Sequence, residues 1–382
     1  MTCGPARAGL LLAALAFGAP NAFAAPACDG WPAWKKFSRA LIADSGRVID
    51  RSTPRQITTS EGQAYALLFA LIANDRKTFE KTLRWTENNL AAGDLPLHLP
   101  AWEWGQRDDG SWNVLDDNPA SDADVWLAYA LAEAGRLWNV RRYRVLGELV
   151  GRRVLKEEVT ELPGLGLTLL PAPKGFQTGK KRWRLNPSYL PPQALRALAA
   201  DQPEAGWEKL LPSTRRLLLE AAPAGFAPDW TVWDRDMFKP DADTHAAGSY
   251  NAIRVYLWAG TLDAADPWRA ELLARDRPMA ALTAKNGAPP ESVNILDGRA
   301  TGEGGAGFSA ALLPLLDALH LNTGAQAQRA RMRAHPPAAD AYYAQALSLF
   351  GTGFTEHRYA FAADGRLQPH WKSSACVSPP PS

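Results

Sequence analysis

Three carboxylates stand where turn-rich sequence runs into an apolar segment of helical spacing. Glu61 follows Ser60 in ITTSEGQAYALLFAL, and Asp122 and Asp124 stand in NPASDADVWLAYAL. A carboxylate in the first turn of a helix is stabilised in its charged form by the helix dipole, and it can also simply cap that helix. Because Ser60 is the more usual kind of cap, we expect Glu61 to be free for chemistry. Asp122 and Asp124 suit capping or chemistry equally well.

Tryptophans are crowded around the same segments. Trp102, Trp104, Trp112 and Trp126 all fall close to the two aspartates, and the chain has 15 tryptophans in 382 residues. Flat indole rings stack on the C–H faces of sugars while neighbouring polar groups bind the hydroxyls. An apolar wall also raises the pKa of a carboxyl group, so that it can act as an acid. Carboxylates beside tryptophans therefore indicate a carbohydrate site.

Apolar residues at helical spacing define the elements that must position these groups. The segments are 63–73, 124–137, 252–262, 307–319 and 341–349. Several are apolar nearly all round, which suits an inner ring of helices packed against an outer ring. Strand-like alternation is confined to short pieces, and Gly/Pro/Asn-rich connectors such as 162–176 and 184–192 separate the segments. The pattern predicts an all-α chain, an α/α barrel with long loops.

The composition excludes several classes of protein. The chain is 46% hydrophobic and 21% charged, too apolar for disorder and too polar for a multi-span membrane protein. Its net charge is +2 and no long basic run occurs, which disfavours a nucleic-acid partner. No linker or low-complexity tract interrupts the chain after Trp31. We therefore expect one domain.

The N-terminus has the pattern of an export signal. Arg7 is the only charged residue in 1–24, residues 9–19 form an apolar run, and Ala22-Phe23-Ala24 fits a cleavage site. The run is too short to span a bilayer, so a membrane anchor is disfavoured. Residues 1–24 are thus predicted to be a signal peptide, 25–382 the mature domain, and the compartment periplasmic or extracellular. A lipid-modified Cys28 is an alternative.

Export also determines how the cysteines are interpreted. Cys3 would leave with the signal peptide, and Cys28 and Cys376 would remain near the two ends of the mature chain. An oxidising compartment favours one disulfide between them, and two unpaired thiols are the alternative. Two distant cysteines lack the clustered spacing of a zinc site.

The segment Ala120–Trp138, ASDADVWLAYALAEAGRLW, closely resembles the signature of glycoside hydrolase family 8. Only Leu127 departs, where Ile or Met is commoner. The resemblance continues in one order along the chain through ITTSEGQAYAL, LPAWEWG, NPSYLPPQ, GFAPDW, GSYNAIRVYLWAG and GFSAALLP. Within that family the chain is similar to the periplasmic endoglucanases that accompany bacterial cellulose synthase, and the terminal cysteines fit that group.

The resemblance implies an (α/α)6 barrel whose open groove holds a β-1,4-glucan and cuts it with inversion of configuration. Glu61 matches the general acid, and Asp122 matches the aspartate that supports the distorted, positively charged sugar ring at the cleavage point. Asp124 would touch the substrate or act as a capping partner behind Asp122. No metal or organic cofactor is implied. The implied partners are glucan chains and the cellulose synthase secretion complex, with no membrane insertion and a monomeric protein.

One residue departs from the family pattern at the position of the general base. The cellulase subgroup has an Asp where this chain reads GSYNAIRVYLW, with Asn251 in its place. A neutral amide cannot take a proton from water. A chitosanase-like subgroup also carries Asn there and takes its base from another loop, for which the candidates are Asp241, Asp243 and Glu303. Asp243 is the first choice because it lies just upstream.

Three further residues are candidates for the groove. Arg254 lies one helical turn from Asn251 and could orient a carboxylate or a sugar hydroxyl, or form a surface ion pair. Tyr189, between prolines in NPSYLPP, and Trp102 would contact the sugar, although Tyr189 equally suits a packed loop aromatic. Three hypotheses follow: an endo-β-1,4-glucanase, a glucan-binding pseudoenzyme because of Asn251, and a chitosanase-like hydrolase.

Overall fold

The computed structural model describes residues 1, 2, 4 and 30–373. All three cysteines and nearly all of the predicted signal peptide lie outside those residues. The described chain forms twelve α-helices: α1 Pro32–Leu41, α2 Ser60–Ile72, α3 Arg76–Leu90, α4 Ser121–Leu137, α5 Arg141–Glu157, α6 Pro192–Asp201, α7 Leu211–Glu220, α8 Ala252–Gly260, α9 Arg269–Asn286, α10 Ala306–Ala318, α11 Asn322–Ala334 and α12 Tyr342–Thr355. None of these helices is long and apolar enough to cross a membrane.

The helices form two concentric rings. The even-numbered helices are the inner ring, in which α2 packs on α4, α4 on α6, α8 on α10, α10 on α12 and α12 on α2. Gln193 of α6 closes the ring by donating from Nε2 to the carbonyl of Trp258 in α8 at 2.6 Å. Each odd-numbered helix packs outside an inner one, with α1 on α12 and α3 on α2. The predicted all-α (α/α)6 barrel is confirmed.

Burial distinguishes the two rings. Every residue of α8, and every residue of α2 except Glu61, is buried. The outer helix α3 buries one stripe that includes Phe79, Leu83 and Leu90 and exposes its other side. An inner helix is apolar all round because other helices surround it, whereas an outer helix needs a single apolar face.

Glycines allow the inner helices to approach closely. A Cβ on Gly351 of α12 would lie 1.8 Å from the carbonyl oxygen of Ala310 in α10, and one on Gly260 of α8 would lie 2.3 Å from the Leu315 nitrogen. No side chain fits at these distances. The small residues mixed through the apolar segments therefore set the spacing of the inner ring.

Most of the tryptophan excess fills the core. Ten of the 15 tryptophans are buried: Trp31, Trp34, Trp85, Trp126, Trp138, Trp183, Trp207, Trp233, Trp258 and Trp268. Trp126 packs against Trp258 with ring centroids 5.2 Å apart, and Trp138 packs against Phe79 at 5.0 Å. The expectation that Trp126 belongs to a carbohydrate site is therefore wrong, because its ring is buried in the core.

Fourteen short strands lie in the described part of the chain, twelve between α-helices and two after α12: β1 Thr58–Thr59, β2 Ala101–Gln106, β3 Trp112–Pro119, β4 Val159–Leu162, β5 Gly166–Leu169, β6 Gln177–Gly179, β7 Arg182–Leu185, β8 Thr231–Asp234, β9 Met237–Pro240, β10 Ala247–Gly248, β11 Ser292–Asn294, β12 Ala300–Thr301, β13 Tyr359–Phe361 and β14 Leu367–Pro369. The antiparallel sheet β1–β2–β3 pairs Thr59 with Glu103 and Ala101 with Pro119. Because β1 leads into α2 and β3 leads into α4, this sheet holds the first turns of both helices together.

Candidate active site

Glu61 lies in the first turn of α2 and is not its cap. The Thr59 hydroxyl accepts a hydrogen bond from the Gly62 amide at 3.0 Å, so Thr59 caps the helix. The expectation that Ser60 would cap it is wrong, because Ser60 is already the first helical residue. The expectation for Glu61 itself is met, since its carboxyl group does not cap the helix.

Arg254 joins residues from three inner helices. Its Nη1 donates to Glu61 Oε2, to Asp122 Oδ2 at 2.7 Å and to the Tyr65 hydroxyl at 3.1 Å. Its Nη2 donates to Asn251 Oδ1 at 2.8 Å. The Arg254 side chain is buried, so the alternative of a surface ion pair is wrong. We call Glu61, Tyr65, Asp122, Asn251 and Arg254 the arginine cluster.

The surroundings of Glu61 favour a carboxyl group that keeps its proton. Burial is the main cause that raises the pKa of Glu61 to about 7; Arg254 opposes this rise, and the negative charge of Asp122 adds to it. The Tyr342 hydroxyl donates to Oε1 at 3.1 Å. The side chain is still 18% exposed. Glu61 can therefore carry a proton near neutral pH and release it to a bound molecule.

Asp122 is almost fully buried and paired with a cation. Its Oδ1 accepts from the Ala123 amide at 2.9 Å, and α4 begins without any side-chain cap. Since Asp122 and Glu61 bind the same Nη1 atom, their two oxygens lie within about 6 Å of each other. An acid and base that act through a water molecule need about 6.5–9.5 Å. The geometry suits an anion that stabilises positive charge better than it suits the base.

Asp124 faces a different part of the fold. It has no exposed surface, and its carboxyl group contacts Glu158 at the end of α5. It lies between the inner and outer rings, outside the arginine cluster. The expectation that Asp124 touches the substrate is therefore wrong, because the side chain has no exposed surface, and Asp124 does not cap α4.

Aromatic residues lie against the arginine cluster and on the sheet that leads into α2. Tyr189 ends a short 3-10 turn, Pro187–Tyr189, and the Arg254 guanidinium lies 5.6 Å from its ring centroid. Trp102 is half-buried on β2, next to Glu103, which pairs with Thr59. Farther along the same strand, Trp104 stacks on Trp112 with centroids 5.4 Å apart.

The three candidate bases have different environments. Asp241 is 3% exposed and is bound by Arg184 at 2.9 Å and by the Thr244 hydroxyl at 3.0 Å. Glu303 is exposed and paired with Arg331. Asp243 is exposed, in the connection between β9 and β10, and no hydrogen bond or ion pair to a described residue holds it.

Sequence reasoning missed the residues that support Asn251 and Glu61. Asp229 Oδ1 accepts from the backbone amides of Asn251 and Ala252, each at 2.8 Å, and from that of Ser249 at 2.9 Å. These bonds fix the start of α8 and occupy the carboxylate, so Asp229 is a poor candidate for the base. Asp229 falls within the GFAPDW block, and the resemblance of that block to the family was the sequence feature that could have drawn attention to it. Nothing in the local pattern indicated that Tyr342 would reach Glu61.

The described residues contain no group of three His, Cys, Asp or Glu side chains arranged to hold a metal ion. The polar groups of the arginine cluster are satisfied largely by one another.

Comparison with known proteins places this arrangement in a family. The sequence matches the family described as glycosyl hydrolases family 8 over residues 10–357. It is 50% identical to an endoglucanase of Salmonella typhi, over 94% of this chain and 95% of that protein. It is 48% identical to an endoglucanase of Xanthomonas axonopodis pv. citri, over 97% and 98%. The crystal structure of an endo-1,4-D-glucanase from Vibrio fischeri superposes with a TM-score of 0.84 at 45% identity, covering 90% of this chain and all of that one.

Proposed function

The chain belongs to glycosyl hydrolase family 8, and from this premise we propose that it is an endo-β-1,4-glucanase that cleaves glucan chains with inversion of configuration. The observation that carries the proposal is the arrangement at the start of three inner helices: Glu61, whose pKa burial raises to about 7, lies beside the Asp122–Arg254 ion pair. The near-neutral charge of the chain suits an uncharged polymer. Relatives at about half identity over almost the whole chain are named endoglucanases.

The first half of the reaction is protonation of the leaving group. Glu61 gives its proton to the glycosidic oxygen as the bond from that oxygen to the anomeric carbon breaks. The sugar ring gains positive charge, which the carboxylate of Asp122 stabilises. Arg254 holds both carboxyl groups in place, and Tyr342 holds the other oxygen of Glu61.

The second half is attack by water from the opposite face of the ring. The new bond forms between the water oxygen and the anomeric carbon, and the water proton passes to a base. Asp243 is the proposed base because it is the candidate whose carboxylate is not already held by a cation. Asp243→Asn should reduce kcat by about a hundred-fold or more. Asp109→Asn, at another exposed loop aspartate, is the control and should leave kcat unchanged.

Hydrolysis of carboxymethylcellulose tests the proposed activity. Purified protein should release reducing ends and lower the viscosity early, as expected for cuts within the chain. Nuclear magnetic resonance of fresh product from a cello-oligosaccharide should show the α-anomer first, since inversion converts a β-linkage into an α-hemiacetal. An initial β-anomer would rule out inversion, and no release of reducing ends at acidic or neutral pH would rule out the glucanase.

Asn251 favours a second candidate, a glucan-binding protein that no longer hydrolyses. Its amide already accepts a hydrogen bond from Arg254 and cannot take a proton from water. Asn251→Asp discriminates between the two. A rise in activity by orders of magnitude would identify a binding protein that has lost its base. A fall would mean that another base operates and that the added charge interferes. Asn251→Ser controls for loss of the amide alone.

We also infer export to the periplasm or beyond, based on the signal-peptide pattern of residues 1–24. In that compartment glucan chains leaving a cellulose synthase would be the substrate, and the secretion complex a partner of this monomer. The inference is supported by the resemblance to the group that accompanies cellulose synthase. Fractionation should recover a chain that begins near Ala25. Co-purification with synthase subunits tests the contact, and light scattering of the pure protein tests the monomer.

A disulfide between Cys28 and Cys376 is part of the same proposal. Both cysteines lie outside the described residues, but the nearest described residues converge. Arg358 donates to the Gly30 carbonyl at 3.2 Å, its own carbonyl accepts from the His370 amide at 2.8 Å, and the Ser373 amide bonds back to His370. Mass spectrometry of unreduced protein should find the linked peptides. Free thiols at both positions in exported protein would rule the bond out.

A further inference from the structure

Two carboxyl groups lie buried against each other behind the arginine cluster. Asp124 is in the first turn of α4, and Glu158 is the residue that ends α5. Neither has any exposed surface, and their carboxyl groups lie against each other. We call Asp124 and Glu158 the carboxyl pair.

Among the residues that the structure describes, no donor and no cation balances the carboxyl pair. None of its four oxygens accepts a hydrogen bond from an N–H or hydroxyl group of the described chain. The charged neighbours that act on both members are Asp122 on α4 and Glu157 on α5, which are themselves anions. A buried carboxylate without partners is costly, and two in contact cannot both be ionised. The carboxyl pair must therefore retain at least one proton.

The electrostatics agree with this argument. Burial, followed by the charge of its neighbours, raises the pKa of Asp124 and that of Glu158 well above the ordinary values.

The carboxyl pair is connected to the site through one turn of helix. Asp122 and Asp124 are two residues apart in α4, so their side chains leave the helix on different sides. Asp122 reaches Arg254 toward the barrel centre, and Asp124 reaches the end of α5 in the outer ring. α4 has no side-chain cap, and its first turn contacts Glu158 through Asp124.

We propose that Asp124 and Glu158 are positioning residues that share a proton, and that this proton fixes the first turn of α4 and so holds Asp122 against Arg254. The inference rests on the proposed function, because it gives the carboxyl pair a part in the same reaction. If the proton were lost, two adjacent anions would repel each other in a dry interior. The first turn of α4 would then shift and Asp122 would leave its place beside the sugar.

Thermal unfolding tests the shared proton without any reference to activity. Glu158→Gln replaces the shared proton by a permanent amide donor of nearly the same shape. A folded state that holds extra protons loses stability as the pH rises above the unfolded pKa. The variant should therefore melt near the wild type at about pH 5 and gain at least about 3 °C on it by about pH 9.

Glu161→Gln is the matched control, since Glu161 is an exposed glutamate three residues further on. Its melting temperature should follow the wild type at every pH. A difference between Glu158→Gln and wild type that does not change with pH would overturn the shared proton.

Kinetics test the positioning role. Glu158→Ala leaves Asp124 without a partner and should lower kcat on carboxymethylcellulose by about ten-fold or more with KM changed by less than about three-fold. Glu158→Gln should stay within about three-fold of wild type in both constants at neutral pH, because it restores the contact. If the alanine variant does not fold, Asp124→Asn serves with the same expectation as glutamine. An alanine variant with wild-type kcat, or a glutamine variant as impaired as alanine, would overturn the positioning role.

The experiments distinguish failure of the glucanase proposal from failure of the shared proton. If wild-type protein releases no sugar, the glucanase proposal and the positioning role fail, whereas the melting curves still decide whether the carboxyl pair holds a proton.

Discussion

The arginine cluster and the carboxyl pair lie on two sides of the same helical turn and balance buried negative charge in different ways. In the arginine cluster, one guanidinium supplies a cation and donors to both Glu61 and Asp122. In the carboxyl pair, Asp124 and Glu158 have neither among the described residues, and by our proposal they depend on a proton. A cation balances the charge of Asp122 at the proposed catalytic centre, whereas a proton suffices where no charge is needed.

The difference also shows what makes a buried acid reactive. Burial raises the pKa of Glu61 and that of Glu158 alike. The Glu61 side chain is 18% exposed, whereas Glu158 has no exposed surface. A raised pKa identifies a retained proton, but only an acid that a substrate can reach is able to donate it. Access therefore separates the reactive carboxyl group from the structural one.

Glu61→Gln should have the largest effect, because it removes the reactive proton from the arginine cluster while keeping its shape. We expect kcat on carboxymethylcellulose to fall by about a thousand-fold, or about 4 kcal/mol in the barrier. KM should change little. Glu161→Gln is the control and should keep wild-type rates. A residual rate within about ten-fold of wild type would assign the acid to another residue.

Arg254→Met would turn the arginine cluster into a second cation-free pair of carboxyl groups. Removing one partner of a buried ion pair costs about 3 to 4 kcal/mol in the free energy of unfolding. The loss measured in urea should be greatest at alkaline pH and smaller at acidic pH, because protons can then replace the cation. Arg329→Met, at the half-exposed pair with Asp317, should cost less than about 1 kcal/mol. A loss for Arg254→Met that is equal at every pH would contradict the comparison.

The inner ring was predictable from the sequence, and much of the outer ring was not. The five apolar segments correspond to α2, α4, α8, α10 and α12, because a helix surrounded by helices must be apolar all round. The remaining inner helix, α6, is short and begins with Pro192, so it is hidden within a proline-rich connector. Outer helices such as α3 and α5 carry many charges, and their single apolar stripe is a weaker signal.

The site was predictable only where a residue stands in a block of sequence. Glu61, Asp122, Asn251 and Arg254 were singled out, and the structure brings them together. The contact between Tyr342 and Glu61 joins residues 281 positions apart, and no local pattern encodes it. The carboxyl pair was not predicted for the same reason. Glu158 is one of several glutamates near the end of a charged helix, and only its burial in the structure distinguishes it from the others.

The pH dependence of stability provides a further comparison of the two acids. The pKa of Glu61 rises from 4.5 to about 7 on folding, so its contribution to stability is present below about pH 4.5 and is lost as the pH rises through about 7. Glu61→Gln should therefore gain up to about 3 kcal/mol on the wild type between those two pH values. Chemical denaturation at several pH values measures this gain. The gain should level off above about pH 8, whereas that of Glu158→Gln should continue to grow. Parallel curves for both variants would remove the distinction between them.

Tyr342→Phe should have the smallest effect. It measures how much a single hydroxyl group changes the pKa of Glu61. The Tyr342 hydroxyl donates to Glu61 Oε1 and so favours the ionised carboxylate, which lowers the pKa of Glu61. The wild-type kcat/KM should fall as the pH rises through about 7, because Glu61 must be protonated to act. Without the hydroxyl, this fall should move up by about half a pH unit. Tyr129→Phe removes a buried hydroxyl that bonds to the Gly365 carbonyl, outside the arginine cluster, and should not move it. If the fall in kcat/KM moved to lower pH in Tyr342→Phe, the hydroxyl would be stabilising the protonated acid instead. Arg254 would then be the donor that opposes the effect of burial on the pKa of Glu61, without help from Tyr342.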